Sequence, residues 1–332
     1  MTGGTIAERD EREDGARGAH PDPSAGADPA SSARARRTVQ RTIVTGASAG
    51  LGHAIAAQLL AAGRLVTGID RDPAPEAFRA ASEEGRDGPN GPRYRHERAD
   101  LSSPAETDAL VARLLTPLAP LSPLPHPEGR APTAREAAMA GGPPGYDLVV
   151  MAAGISATGR FEAIPATAHG ALLRVNAEAP LVMADALIAA GALHGDGTLV
   201  LVSSLSVDVG YPGAASYAAS KDALHAYGRS LNAARRKAKG GLRPPRVLTV
   251  LPGPLRTEHA ARHAPEGSGE AKRMVPGQCA ALILRAVRAR RTGVLRPGAG
   301  AGLAGAFGRL LPGPSARLMR RVLFDRLDRE VW

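Results

Sequence analysis

The chain runs from a β-branched stretch straight into a glycine-rich turn and then into a helix, and few folds accommodate that succession. Thr38 to Val44 reads T-V-Q-R-T-I-V and ends as a strand, and T-G-A-S-A-G-L-G follows at Thr45 to Gly52. Behind it Leu51, Ile55 and Leu59, with Ala56 and Leu60, recur at helical spacing. Strand, glycine turn and helix in that order are the setting a dinucleotide fingerprint requires. Gly46 permits the tight turn, Gly50 admits a pyrophosphate against bare backbone, and Gly52 lets the helix lie close to the strand. The helix N-terminus then aims unpaired N–H groups at the phosphates, with Ser48 and Leu51 in the same cradle.

Further apolar runs at 65–69, 148–152, 198–202 and 247–251 alternate with helical segments near 51–62, 105–115, 166–191 and 216–237. Alternation of this kind predicts a parallel sheet buried on both faces, a doubly wound α/β fold of Rossmann type. Its connections should be right-handed, with ligands beyond the carboxyl ends of the strands. The pattern assigns residues 39–298 to this one domain, with a Pro/Gly/Ala-rich surface insertion at 116–145 and a helical extension at 299–332. Residues 1–38 hold almost no large apolar side chains and read as a disordered tail. That tail lacks an apolar h-region, and its acidic cluster from Glu8 to Asp14 argues against a transit peptide.

Tyr217 and Lys221, in Y-A-A-S-K, stand four residues apart, and Ser204 lies thirteen positions upstream. At that spacing a phenol and an ammonium share one helix face. A phenol ordinarily titrates near about 10, and a neighbouring cation favours the phenolate. Bringing it to neutrality takes roughly 4 kcal/mol of differential stabilisation. The expectation is therefore that Lys221 lowers the Tyr217 proton affinity while Ser204 hydrogen-bonds a substrate oxygen. Taken singly, Ser204 reads as a turn serine, Tyr217 as a core aromatic and Asn176 as a satisfied helix polar residue. Their joint spacing is what points to chemistry.

T-G-x-x-x-G-x-G followed by S-x12-Y-x-x-x-K resembles the short-chain dehydrogenase/reductase family, in its single-domain branch, from about residue 40 to about residue 298. Further positions match in order. Asp100-Leu101 is similar to the pair that contacts adenine. Ala153-Gly154 closes D-L-V-V-M-A-A-G, where the family carries N-N-A-G. Asn176 in R-V-N-A-E corresponds to the catalytic asparagine, which holds a water linking Lys221 to solvent. Pro252-Gly253-Pro254-Leu255-Arg256-Thr257 resembles the P-G motif whose threonine reaches the nicotinamide carboxamide. Met151 and Ala152 depart from the family's two asparagines, which removes local hydrogen bonds of about 1 kcal/mol each and leaves the proton-transfer residues intact. The resemblance implies an oxidoreductase in which Tyr217 exchanges the proton of an alcohol or ketone substrate and Lys221 holds the nicotinamide ribose. It also implies a homodimer or homotetramer built on helices 166–191 and 216–237.

Cofactor choice turns on Asp70, twenty-four positions past Gly46 and just after the run Leu65–Ile69. A carboxylate there binds ribose hydroxyls and repels a 2′-phosphate, favouring NAD. Arg71 would pair with that phosphate and keeps NADP open. Two other readings compete, an NADP-dependent carbonyl reductase of the 3-oxoacyl type and a low-turnover nucleotide-binding scaffold. Substrate specificity is assigned to a polar opening loop, Glu258 to Pro276, facing a wall at Leu205 to Ser216 that includes Val209 and Tyr211.

The formal net charge of +10 comes from scattered arginines without a nucleic-acid-binding motif, so no nucleic acid partner is expected. The nine histidines are dispersed and predict no metal site. A lone Cys279 suits a reducing, cytoplasmic setting. Near the C-terminus, Ser315 is placed to cap a last helix. Leu318, Met319, Val322, Leu323 and Leu327 should share one side of it, with Arg309, Arg317, Arg320, Arg321, Arg326 and Arg329 across the tail. That helix is expected to dock on its own domain or a sister subunit, in preference to a membrane surface.

Overall fold

The computed structural model describes residues 40–85, 92–116, 145–237, 244–264, 273–326 and 330–332. The tail at 1–38 and nearly all of the insertion at 116–145 lie outside the described residues, as do Leu327 and Arg329.

Chain order alternates throughout. Strand β1 (Arg41–Thr45) leads to α1 (Gly50–Ala61), β2 (Leu65–Asp70), α2 (Arg79–Glu83), β3 (Tyr94–Arg98), α3 (Pro104–Leu115) and β4 (Tyr146–Met151). Then come α4 (Ala166–Leu173), α5 (Ala179–Ala189), β5 (Leu193–Val202), α6 (Ser206–Val209), α7 (Ala215–Lys237) and β6 (Arg246–Val250). The last elements are α8 (Glu258–Arg262), α9 (Pro276–Arg288), β7 (Gly293–Leu295), α10 (Ala301–Leu310) and α11 (Pro312–Val322). Seven parallel strands form one sheet in the order β3-β2-β1-β4-β5-β6-β7. The doubly wound Rossmann-type sheet expected from the apolar runs is present. Its switch point lies between β1 and β4, where the chain reverses direction across the sheet.

Period-two alternation sends side chains to two separate cores. Val44, Leu148, Val150, Val200, Val202, Leu248 and Val250 face α1 and α9, meeting Leu51, Ile55, Leu59, Ile283 and Leu284. Ile43, Val149, Met151, Leu199, Leu201 and Val247 face α3, α5 and α7, meeting Leu110, Met183, Leu187 and Leu224. Both faces of the strands are buried, as a parallel sheet requires.

The segment 166–191, expected as one helix, is interrupted. Residues Arg174–Glu178 form a π-helical turn between α4 and α5. Pro180 explains it: a proline cannot donate to the carbonyl four residues back, and its ring crowds that carbonyl, here Asn176. The local widening is the π-bulge type that recurs at functional positions.

Ser315 does not cap the last helix. That helix starts at Pro312, and Ser315 is buried inside it, donating a hydrogen bond to the Val209 carbonyl at 2.8 Å. Helices α10 and α11 dock on α6, as expected of an element seated on its own domain. Buried Asp208 of α6 meets Arg296 Nε at 2.7 Å and Arg309 Nε at 3.7 Å. The final residues return to the domain, where Val331 and Thr158 exchange backbone hydrogen bonds of 2.8 Å. Residues 39–332 are thus one unit, extension included.

Helix α7 approaches the sheet closely at Gly228, where a β-carbon would stand 2.5 Å from Thr249 Oγ1 and 3.3 Å from Leu201 and Val247. Gly228→Ala should therefore destabilise the protein by about 1–3 kcal/mol. Urea unfolding measures this, and an unchanged midpoint would mean that the helix sits farther from the sheet.

Candidate active site

Every β-strand that carries a predicted site residue ends at one cleft. The turn after β1 is held tight by the Gly46 N–H, which donates to the Ile69 carbonyl at 2.8 Å. Gly46 has φ +72°, and a β-carbon there would stand 2.9 Å from the Ala153 backbone. A β-carbon on Gly52 would overlap the Gly46 carbonyl, so the helix reaches the turn only because position 52 is bare. Thr45 fastens the next strand, its Oγ1 accepting from the N–H groups of Ala152 and Ala153 at 3.0 Å each. This bond helps to hold the backbone at the segment lacking the family's asparagines.

The cleft measures about 1860 Å³ and is lined by Gly46, Gly50, Leu51, Gly52, Asp70, Arg71, Asp100, Leu101, Ala153 and Gly154. Ser204, Tyr217, Lys221, Pro252, Gly253, Leu255 and Thr257 line it as well. One small-molecule site typically takes about 300–1,000 Å³, so this cleft has room for two ligands side by side.

Two sequence-predicted residues stand elsewhere. Ser48 is absent from the lining. Its hydroxyl donates to the Pro73 carbonyl at 2.9 Å, while neighbouring Ala49 borders the cleft. Asn176 is 0% exposed and lies behind the wall. Its Oδ1 accepts from the Ile155 N–H at 2.9 Å, and its Nδ2 donates to the Ile155 carbonyl at 2.8 Å and Ser220 Oγ at 3.1 Å. The π-turn presents it there, so it shapes the cleft through the backbone after Gly154.

Asp70 closes β2 with both carboxylate oxygens engaged. Oδ2 accepts from the Ser48 N–H at 2.9 Å and Oδ1 from the Asp72 N–H at 3.2 Å. Arg71 is exposed and lies 3.9 Å from Asp72. Asp100 accepts from the Ser102 N–H at 2.8 Å, which holds its carboxyl below the usual range.

The Tyr217–Lys221 pair is deeply placed. Lys221 is 4% exposed, its Nζ donates to the Val202 carbonyl at 3.2 Å, and it lies 5.9 Å from the Tyr217 ring centroid. Gly154 makes room for it, since a β-carbon there would stand 2.9 Å from Nζ and 3.2 Å from Asn176 Oδ1. Burial pushes the lysine down to about 8. The phenol of Tyr217 departs from expectation. Burial raises it, and the hydrogen bond from Ser204 opposes that rise. A poorly solvated pocket penalises the phenolate and the ammonium together, and at this separation the cation does not reverse the balance.

Two features of the cleft were missed or only half read in the sequence. His259 and His263 of the α8 region reach it, both lowered first by burial, and His263 falls to about 4. The His263 ring contacts Thr158 Oγ1 at 3.1 Å. Met319 and Leu323 of the C-terminal extension form part of the wall, beside Val209 and Tyr211. The amphipathic pattern at 318–323 was the available signal for this wall. Part of the predicted specificity loop, residues 265–272, lies outside the described residues.

Fold and cleft define a dinucleotide-fold α/β protein with a tyrosine–lysine pair at its switch point. A family model described as short chain dehydrogenase matches residues 40–129 and 136–267. The chain belongs to the short-chain dehydrogenase family. Two curated relatives from Mycobacterium tuberculosis, each described as an uncharacterized oxidoreductase, are 35% identical over 121 residues, 36% of this chain and 46% of theirs. The chain thus spans about half the length of the curated relatives it matches. A short-chain dehydrogenase from Streptomyces avermitilis superposes with a TM-score of 0.60 at 24% identity, over 86% of this chain and 96% of its own. An angucycline C-6 ketoreductase solved with bound NADP gives 0.56 at 25% identity, over 77% and 93%.

The depressed lysine has a thermodynamic signature. Below pH 8 the folded protein carries a buried charge that the unfolded chain, titrating near 10.5, hydrates freely. Stability therefore rises with pH between these values, as the native state releases its proton first. Lys221→Met should be more stable than the parent by about 3 kcal/mol below pH 8, the gap closing toward pH 10.5. Parallel denaturant titrations across this range measure it, and a gap that does not change with pH would contradict the burial of the charge.

Proposed function

We propose that the chain is a nicotinamide-dependent oxidoreductase acting on an alcohol or carbonyl group, with NAD the favoured cofactor. The observation that carries this reading is the convergence of Ser204, Tyr217 and Lys221 on the cleft that also bares the glycine turn. Glycine positions at which a β-carbon would strike backbone, with an acid at the end of β2, fit a dinucleotide. When bound, the nicotinamide supplies a hydride acceptor or donor.

The remaining roles belong to this chain. Gly46, Gly50, Leu51 and Gly52 would hold the pyrophosphate, and Asp100 with Leu101 the adenine. Asp70 and Lys221 would take ribose hydroxyls, and Ala153, Gly154, Pro252, Gly253, Leu255 and Thr257 would line the remaining cofactor surface. Ser204 orients the substrate oxygen. Tyr217 gives its proton to a carbonyl oxygen in reduction and takes the hydroxyl proton in oxidation. Its raised proton affinity keeps the phenol protonated at neutral pH, the form needed for reduction. Lys221, mostly protonated below about 8, lies beside the phenolate formed by that transfer. Asn176 positions Ile155 and Gly154 beside Lys221.

Asp70 supports NAD, because its carboxylate and that of Asp72 oppose a 2′-phosphate. The exposed Arg71 supports NADP as the second reading, and NADP is bound in the ketoreductase structure. Assembly into a homodimer or homotetramer is part of the proposal, through the helices of 166–191, which expose Leu173 and Val182, and of 216–237.

Tyr217→Phe should lower turnover by about 10²–10⁴-fold and leave reduced-cofactor binding nearly unchanged, read by absorbance and by fluorescence titration. Retained turnover would remove Tyr217 from the mechanism. Asp70→Asn keeps the acceptor for Ser48 and removes the charge. It should shift kcat/KM toward NADP about tenfold, the effect of roughly 1.4 kcal/mol of relieved repulsion. No change in the cofactor ratio would discard the carboxylate as the discriminator.

A further inference from the structure

The apolar side predicted for the last helix is divided between two environments. Met319 and Leu323 face the cleft, whereas Leu318 and Val322 are exposed. Helix α10 repeats the division, with Ala301 and Ala304 at the cleft and Leu303, Phe307 and Leu310 exposed. Leu303 and Leu310 are each 79% exposed. The spacing 303, 307, 310 makes one stripe along α10, and 318, 322 makes one stripe along α11. Leu311, also exposed, stands at the junction of the two helices. Single exposed leucines are ordinary, but two adjoining stripes on a packed helix pair are not.

Arginines border these stripes. Arg317 and Arg321 are exposed, share one face of α11 at a spacing of four, and have no acidic partner among the described residues. Arg320 pairs with Asp325 at 3.4 Å. Helices α10 and α11 contain no Asp or Glu. Among the described residues no helix is long and apolar enough to cross a membrane. We propose that the outer face of α10 and α11 docks on an anionic phospholipid surface, the leucine and phenylalanine side chains entering the interface and Arg317 and Arg321 meeting the headgroups.

A second copy of the chain fits this face less well. Two-fold pairing would bring the same arginines of each copy toward one another without carboxylates from these helices to offset them. A lipid surface supplies the negative charge and the apolar phase together. Because the inner faces of both helices line the cleft, docking would place that cleft about one helix diameter, roughly 10 Å, from the lipid boundary. The docking surface does not depend on the proposed chemistry, and its test needs no turnover.

The experiment is co-sedimentation of the full chain with phosphatidylcholine vesicles, with and without phosphatidylglycerol. Binding is expected to the anionic vesicles alone, and to weaken as salt screens the headgroups. Arg317→Gln and Arg321→Gln should each weaken partitioning about fivefold. Leu310→Gln combined with Leu318→Gln should abolish partitioning while the thermal unfolding curve stays in place, since both side chains are exposed. Absence of binding at low ionic strength overturns the proposal, as does equal binding by the double leucine variant. So does a dimer in light scattering that the leucine changes dissolve without any vesicle binding by the parent, because that result assigns the face to a second copy.

Discussion

A buried ammonium is the constraint on which the rest of the site depends. Lys221 is covered almost completely, and its Nζ donates to the Val202 carbonyl. A charge in such surroundings persists only where nearby backbone is fixed to receive it. The neighbouring elements are arranged accordingly. Gly154 has no side chain to occupy the space beside Nζ, Asn176 locks the backbone immediately after it, and Ser203 Oγ donates to the Lys221 carbonyl at 2.7 Å. Burial favours the neutral lysine and the protonated phenol together, so the resting pair stores less charge than a simple ion-pair picture implies. The proposed proton transfer at Tyr217 would then be governed by whatever polar groups enter the cleft.

A second buried charge ties the C-terminal extension to the same site. Asp208 lies one turn after Ser204, and Arg296 and Arg309 converge on it. Gly305 and Gly308 permit this approach. A β-carbon at 305 would stand 2.6 Å from the Asp208 carboxylate, and one at 308 would overlap its carbonyl. Removing one partner of such a cluster leaves the other charge stranded, which is far costlier than the modest net gain of forming it. The extension is therefore coupled to the loop that carries Ser204, and it supplies Met319 and Leu323 to the cleft wall.

The five central strands were legible as short apolar runs, because strands buried on both faces take that form and glycine turns have few alternatives, whereas the edge strand β3 reads Y-R-H-E-R and has no such run. Ser204, Tyr217 and Lys221 were legible for a similar reason: their spacing is fixed by one strand end and one helix face. Legibility failed where tertiary contacts decide. Pro180 is the exception, a local signal left unread: its ring crowds the carbonyl four residues back, and the π-turn there directs the Asn176 amide at Ile155. Ser315 looks like a cap by its hydroxyl, yet the Val209 carbonyl claims it. The leucines and methionine of α11 form one apolar side on a helical wheel, and packing against α6 divides that side into a lining and an outer face. The expected lowering of Tyr217 failed because pair spacing carries no information about burial.

Asp70 shows how one side chain can join two requirements. Its Oδ2 holds the Ser48 N–H, the residue midway between Gly46 and Gly50, and so constrains the path of the phosphate turn. Its negative charge at the end of β2 acts on whatever enters that end of the cleft. Replacing it with a small neutral residue would change both the electrostatics and the turn, and the two effects would be confounded. An amide of the same shape comes closer to separating them, since it keeps the acceptor for the Ser48 N–H, gives up the one for the Asp72 N–H and removes the charge. In the proposed function, cofactor preference would therefore be linked to turn geometry through a hydrogen bond as well as through charge. Ser48 contributes to the cleft in the same indirect way, through its backbone N–H, while its hydroxyl is held at Pro73.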